Sequence, residues 1–234
     1  MAINVNTVYK TVLLILNKEQ RGYMTPEEFN RIGTQVQLEI FEKYFEDLNQ
    51  LTRSPQTDTD YADRVAYLEE KISGFVKYEL GQQISSGVVS ITSQLGNEAH
   101  RINALVYKDT ELQKTNRSEY INIIRSPLTK PSATQPVFIQ EGSLLYVYPE
   151  SISSEIYMSF IKKPREVRWN FTTDQNIGVY QYKTSGSFDF DLHSSEQTEV
   201  ILRILAYAGI VINNPQIVQA ASAAIQNQNI NEKS

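Results

Sequence analysis

Residues 25–51, TPEEFNRIGTQVQLEIFEKYFEDLNQL, carry the clearest helical signal in the chain. Thr25 can cap a helix, Pro26 suits its first turn, and Glu28 can complete a capping box. Beyond this start, apolar residues recur every three or four positions, which is typical of a helix with one buried face. They are Phe29, Ile32, Val36, Ile40, Phe41, Tyr44, Phe45, Leu48 and Leu51. We therefore predict a long helix from Pro26 to Leu51.

Two further helices are predicted on either side of this one. The first runs roughly from Asn6 to Asn17, and a third begins near Asp60 and keeps its apolar period as far as Ile84. Gly74 and Gly81 weaken its second half, so we expect a bend or an early stop there. Three consecutive helices with matching apolar faces indicate a small helical bundle.

From about residue 100 the apolar period changes from helical spacing to alternation, which predicts strands. The predicted strands are Arg101–Tyr107, Val137–Gln140, Ser143–Tyr148, Glu155–Ile161, Val179–Tyr182 and Phe188–Leu192. A short helix over Ser118–Ile124 interrupts them, and Glu141-Gly142 is a plausible hairpin turn. About six strands are enough for a small sandwich or barrel.

Helical spacing returns over Ser194–Ile212, and Asn214-Pro215 then separates this helix from a shorter one. Helices at both ends with strands between them predict an α+β chain. In this prediction a discontinuous helical bundle receives an inserted antiparallel β-sandwich or barrel-like module. The predicted helical body comprises residues 1–95 with 193–234, and the predicted β module comprises residues 96–192.

Composition narrows the possible chemistry. The chain contains no cysteine and only two histidines, and it has no phosphate-binding loop, dinucleotide fingerprint, nucleophile elbow or zinc-protease motif. Tyrosine outnumbers phenylalanine 14 to 9, and tyrosine is favoured where protein surfaces meet. We therefore predict a structural protein that functions in an assembly, is not an enzyme and uses no cofactor or metal.

One constellation leaves a metal-dependent hydrolase open as an alternative. Asp189, Asp191 and His193 alternate along a predicted strand, so they would share one face, with Glu196 just beyond. Carboxylate and imidazole groups can hold a divalent ion if their tips converge. The simpler interpretation places these residues in solvent, because Phe188, Phe190 and Leu192 would then face the core.

A basic cluster leaves a nucleic-acid-binding module as a further alternative. Lys162, Lys163, Arg165 and Arg168 lie close together, interrupted by Pro164. Four cations in a chain of net charge −5 are few for a wrapped duplex. A solvated or protein-contacting edge is the favoured interpretation.

Aromatic residues are concentrated in the β half. Alternation places Tyr146 with Tyr148, and Tyr180 with Tyr182, on common strand faces, and Trp169 lies between the two pairs in sequence. Core packing, a protein interface and base stacking are all compatible with this pattern. Together with Lys162, Lys163 and Arg165, these five aromatics form the candidate interface set.

The only apolar run near the N-terminus, Val12 to Leu16, is too short for a signal peptide or a membrane span. Ala2 also excludes N-myristoylation. We therefore expect synthesis in the cytoplasm of the producing cell.

Three segments, in this order, resemble a known family. They are Met24–Asn30 opening the long helix, Phe160–Val167 with Trp169, and Phe188–His193 running into Ser194–Ile212 with Asn214-Pro215 behind. This order is similar to that of the connector proteins, also called adaptor or ring proteins, of short-tailed bacteriophages, particularly crAss-like phages. The similarity covers both chain ends and the late β region.

The resemblance implies a structural role in the virion. Such proteins stack as a ring of about a dozen copies beneath the portal, extend the DNA channel and offer a surface to the next tail component. It implies that the helical ends form the ring body and contact the portal, while the β module meets neighbouring ring or tail proteins. Genomic DNA would pass without sequence-specific binding. Asp189, Asp191 and Glu196 would then be surface charges.

Overall fold

The computed structural model describes residues 2–18, 23–53, 59–80, 87–91, 98–152, 156–173, 179–211 and 219–227. Over these residues the chain is a mixed protein of helices and mainly antiparallel sheets, which confirms the predicted α+β class. It divides into two compact units, Met1–Gly74 with Pro164–Ser234 and Phe75–Lys163. This division assigns residues 75–95 and 164–192 differently from the predicted one.

The first unit contains four of the named helices. They are α1 (Val5–Lys18), α2 (Pro26–Arg53), α3 (Thr59–Ser73) and α5 (Gln197–Val211), and a 3-10 turn, Ser194–Glu196, leads into α5. Helix α2 packs against α3 and α5, and α1 also packs against α5. Residues 219–227 are helical as well, whereas the predicted break at Asn214-Pro215 lies outside the described residues.

Capping and apolar spacing explain the start and the buried face of α2. The backbone N–H and hydroxyl of Thr25 donate to Glu28 Oε2 at 2.9 and 2.8 Å, and the N–H of Glu28 donates back to Thr25 Oγ1 at 3.3 Å. These bonds lower the pKa of Glu28. Phe29, Val36 and Ile40 are fully buried. The predicted capping box and apolar face are therefore confirmed.

The predicted third helix is too long. Helix α3 ends at Ser73, and the residues from Val76 to Leu80 form a strand, β1, instead. Gly74 has a low helix propensity, which favours the end of α3 at this point. The conformation of Val76–Leu80 is then determined by backbone pairing with a strand that is distant in sequence. The early stop predicted at Gly74 is confirmed, and residues 81–86 lie outside the described part of the chain.

Among its described residues, the second unit contains two four-stranded sheets and a short helix. Its elements are β1 (Val76–Leu80), β2 (Val88–Ser90), β3 (Ala99–Tyr107), β4 (Thr110–Glu111), β5 (Gln113–Lys114), α4 (Arg117–Arg125), β6 (Val137–Glu141), β7 (Leu144–Tyr148) and β8 (Tyr157–Lys162). The strand orders are β1-β8-β3-β4 and β2-β7-β6-β5. All pairs are antiparallel except the short β5–β6 pair.

Both sheets contribute to one buried core. Leu105, Met158 and Phe160 from one sheet join Leu145 and Val147 from the other. The predicted hairpin is also confirmed, because β6 pairs with β7 across Gly142, whose φ of 60° lies in the left-handed region that favours glycine.

The first unit has a small sheet of its own, in which β9 (Phe171–Thr173) pairs with β10 (Tyr180–Tyr182). The strand predicted over Phe188–Leu192 is wrong. This segment forms only isolated bridges, Arg168 with Phe188 and Ile3 with Phe190. Because its backbone partners change from one residue to the next, no continuous ladder can form.

Candidate functional site

A ladder of polar side chains on α2 holds an extended segment, residues 165–169. Asn30 Oδ1 accepts from the N–H of Trp169 at 2.7 Å, and Thr34 Oγ1 accepts from the N–H of Val167 at 3.1 Å. Gln37 Nε2 donates to the carbonyl oxygen of Arg165 at 2.6 Å. About one helical turn separates successive members on the helix, which nearly matches a two-residue step along an extended chain. The two backbones are therefore held in register.

Gln37 is the fully buried member of this ladder. Besides donating to Arg165, it accepts from the N–H of Asp191 through Oε1 at 2.8 Å. No pattern in the sequence indicated a role for Asn30, Thr34 or Gln37. The sequence feature that could have indicated this role is a glutamine next to Val36 on the apolar face of the predicted helix. A buried amide requires hydrogen-bond partners, so Gln37 could be expected to bind another segment.

An open groove of about 630 Å³ lies between α2 and the held segment. Its lining consists of Asn30, Arg31, Thr34, Arg165, Glu166, Val167, Arg168 and Phe188. We call it the arginine groove, because three of these side chains are arginines. Arg31, Glu166 and Arg168 are exposed, and Phe188 keeps 41% of its surface exposed.

Arg165 is fixed at the edge of this groove. Its Nη2 donates to Asp191 Oδ1 at 2.8 Å, and its Nε and backbone N–H donate to Oδ2 at 3.3 and 3.0 Å. The guanidinium also lies over the Phe188 ring, 5.6 Å from its centroid. Within the described ranges, Arg31 and Arg168 form no ion pair, so two of the three cations remain available to a ligand.

The residues of the hydrolase alternative have separate structural partners. Asp189 Oδ1 accepts from the N–H of Val5 at 2.8 Å, and Asp191 binds Arg165. His193 Nδ1 accepts from the N–H of Ser195 at 3.3 Å and caps the 3-10 turn. In the part of the chain that the structure describes, no three histidine or acidic side chains form a group that could hold a metal ion.

Glu196 is not a surface charge, contrary to the expectation from the resemblance. It is 3% exposed, and Oε1 lies 2.5 Å from Lys71 Nζ, which is itself buried. Burial raises the pKa of Glu196 despite the neighbouring ammonium. The pair links α3 to the turn that precedes α5.

A second set of buried charges joins α2 to α5. Glu199, 1% exposed, lies 3.2 Å from Lys43 Nζ and 2.6 Å from Arg203 Nη2. Burial acts to raise the pKa of Glu199, but Lys43 and Arg203 outweigh it and lower that pKa. Arg203 also pairs with Glu39 at 3.5 Å, and the Tyr207 hydroxyl donates to Glu39.

The lowered pKa of Glu199 predicts a loss of stability in acid. The unfolded chain has the ordinary glutamate pKa of 4.5, so this stability is present above pH 4.5 and is lost as the pH falls through the lower folded value. We expect Glu199→Gln to unfold more easily than the wild type at neutral pH, with the difference shrinking below pH 4.5. Glu196 acts in the opposite direction, and because Glu199 helps to raise the pKa of Glu196, the substitution relieves part of that effect and offsets part of the difference at neutral pH. Urea unfolding across this pH range measures the difference, and a constant difference would contradict the prediction.

Trp169, a predicted interface residue, lies in the core of the first unit and is 4% exposed. Its ring centroid lies 4.3 Å from that of Tyr9 and 5.6 Å from that of Tyr182, and its Nε1 donates to Asn6 Oδ1 at 3.2 Å. Tyr182 and Tyr180 are partly buried beside it on the β9–β10 sheet. Three of the candidate aromatics are therefore wholly or partly packed within the unit.

Tyr146 and Tyr148 lie on one face of β7, as predicted, because the intervening Val147 is fully buried. Arg117 covers this face: its guanidinium lies 5.2 Å from the centroid of the Tyr146 ring, and Nη1 donates to the Tyr148 hydroxyl at 3.3 Å. Arg117 also forms a two-bond pair with Glu141, which lowers the pKa of that carboxyl. Both tyrosines remain partly exposed.

The basic cluster is divided between the two units. Lys162 Nζ pairs with Glu98 at 2.8 Å, and the N–H of Lys163 donates to the Glu98 carbonyl oxygen at 2.6 Å, both in the second unit. Arg165 and Arg168 belong to the first unit. The sequence cluster therefore supplies two arginines to the arginine groove and two lysines to another unit.

Helix α4 presents an apolar surface to solvent. None of its residues is buried, and Ile121 and Ile124 are 48% and 41% exposed. Leu128, just beyond the helix, is 94% exposed. We call these three residues the α4 surface. Removing exposed apolar groups from water is favourable, so an exposed apolar surface is a candidate contact site.

A second exposed apolar feature lies on the sheet that contains β1. Tyr78 of β1 and Tyr157 of β8 stack with ring centroids 5.5 Å apart and nearly parallel planes. They are 60% and 37% exposed. β1 is an edge strand of its sheet, so this pair lies at a sheet edge.

No protein-family model matches this sequence, and no curated protein is similar to it. Among the described residues, no helix combines the length and apolarity needed to span a membrane.

Proposed function

We propose that this chain is a structural virion protein that forms a ring in the portal–tail connector of a tailed bacteriophage. In this proposal it extends the DNA channel and docks the portal to tail components through specific contacts between proteins. Its partners are further copies of itself, the portal protein and other connector or tail ring proteins, and it has no enzymatic activity. It is made in the host cytoplasm and ends in the virion. The family resemblance supports this role.

The α4 surface is the observation that carries the proposal. Helix α4 contacts its own unit through Arg117 and Tyr120, which lie against Tyr146 and Tyr148, but none of its nine residues is buried. The apolar side chains of the α4 surface would be removed from water if a partner covered them, which is favourable. We assign this surface to the adjacent connector or tail protein.

The finer architecture is part of the same proposal. In it, the helical first unit is the bundle that forms the ring body. The second unit is the sandwich-like module that meets neighbouring proteins, since residues of both its sheets share one core. Genomic DNA passes through the channel without sequence-specific contacts, and a net charge of −5 per copy favours passage without adhesion.

Electron microscopy of the purified full chain tests the role directly. The chain is imaged alone and mixed with the portal protein encoded by the same phage genome. We expect closed rings with rotational symmetry, or portal particles carrying an added ring. A chain that stays monomeric in both samples contradicts the proposal.

Substitutions on the α4 surface test the observation that carries it. We expect Ile124→Asp with Leu128→Asp to abolish co-sedimentation with the portal or adjacent connector protein. Because both side chains are exposed, the free energy of unfolding should change by less than about 0.5 kcal/mol. The matched control is Asn122→Asp, which adds charge at an exposed polar position of the same helix. Unchanged docking of the double variant would remove the α4 surface from the interface.

A further inference from the structure

The arginine groove combines charge with apolar surface in one open depression. Arg31 and Arg168 supply two cations with no ion-pair partner among the described residues, and Phe188 supplies an exposed ring. The ladder on α2 and the Arg165–Asp191 pair hold the groove wall in place. A groove of this kind suits a partner surface that alternates carboxylates with an apolar group.

The same unit carries a surface of that composition on α3. Asp63, Tyr67 and Glu70 occur at intervals of four and three, so they share one helix face. All three are exposed, with Tyr67 at 43%. Asp63 and Glu70 lie about 10 Å apart along the helix axis. We call this face the acidic α3 face.

The chain therefore presents two complementary surfaces. None of the residues that line the groove belongs to α3, so one copy can use both surfaces at the same time. A surface that binds a different surface on an identical copy makes a head-to-tail contact, which closes into a ring when the rotation between copies permits.

We propose that the arginine groove of one copy binds the acidic α3 face of a second copy. Arg31 and Arg168 face the carboxylates of Asp63 and Glu70, and Tyr67 packs against Phe188. The contact is the repeating interface of the ring, so this inference rests on the proposed function. It assigns the groove to protein rather than to nucleic acid.

Charge reversal on each side provides the test. The groove variant is Arg31→Glu with Arg168→Glu, and the helix variant is Asp63→Lys with Glu70→Lys. In either variant alone, like charges face each other, so we expect self-association to weaken about 100-fold or more. In an equimolar mixture every groove meets a helix face of opposite charge. We expect the mixture to assemble as the wild type does.

The measurement is molar mass by light scattering over a range of concentrations, at low and at physiological salt. The matched control is Lys77→Glu with Lys183→Glu, which makes the same change in net charge at exposed positions outside the groove. Circular dichroism verifies that every variant is folded. Control assembly equal to the wild type, together with rescue in the mixture, supports the inference.

Each of four outcomes has a stated meaning. Wild-type rings that persist in both reversed variants overturn this interface and leave the ring function standing. A mixture that stays monomeric, although the wild type assembles, also overturns the interface. Retained assembly of the groove variant, with loss of binding to a labelled DNA duplex, assigns the groove to phosphate instead. A wild type that stays monomeric, alone and with the portal, overturns the proposed function itself.

Discussion

Replacing Lys71 by alanine is expected to lower the free energy of unfolding of the first unit by about 3–5 kcal/mol. The ammonium of Lys71 and the carboxylate of Glu196 are 2.5 Å apart, and both side chains are almost fully removed from water. Without Lys71, Glu196 must either remain charged without its neutralising partner or take up a proton. The Lys71 ammonium also lies 4.3 Å from the centroid of the Tyr67 ring, and that attraction is lost with it.

The double variant Lys71→Met with Glu196→Gln separates the charge effect from packing. It removes both charges while keeping similar side-chain volumes, so we expect it to recover most of the lost stability. Equilibrium unfolding in urea, followed by the fluorescence of Trp169, compares the three chains. A loss below about 1 kcal/mol for Lys71→Ala would show that the remaining carboxylate reaches solvent.

The helices were predictable because their signals are local. The capping box at Thr25 and the apolar period of α2 lie within consecutive residues, and both are confirmed. The strand β1 was not predictable in this way. Its residues continue a helical period, and only the pairing of Val76–Leu80 with β8 makes them a strand. Tertiary pairing therefore overrode local preference.

The arginine groove could be predicted only in part. The sequence showed Arg165 and Arg168 as members of a basic cluster. It did not show that Arg31, on a helix distant in sequence, joins them, or that Asp191 neutralises Arg165. The ion pair between Lys71 and Glu196 was also missed. No sequence pattern pairs charges on separate elements, because burial and partner choice arise only when those elements pack.

Trp169→Ala is expected to lower the free energy of unfolding by about 3–5 kcal/mol, as is typical when a large buried aromatic is removed from a core. Its ring packs against Tyr9 of α1 and Tyr182 of β10, so the substitution leaves a cavity where a helix meets the small sheet. The hydrogen bond from Nε1 to Asn6 is lost as well. Because the chain has a single tryptophan, unfolding of this variant is followed by circular dichroism.

Trp169→Phe is the matched control, since it keeps an aromatic ring against Tyr9. It removes the hydrogen bond to Asn6 but only part of the side-chain volume. We expect it to cost about 1–2 kcal/mol. The two variants distinguish a core residue from a contact residue. If Trp169 is a core residue, the free energy of unfolding falls in the order wild type, Trp169→Phe, Trp169→Ala. The folded protein of each variant still assembles. If Trp169 were a contact residue, Trp169→Ala would leave the unfolding curve unchanged and reduce the mass of the assembly. We do not expect this result, because Trp169 is buried and bonded to Asn6.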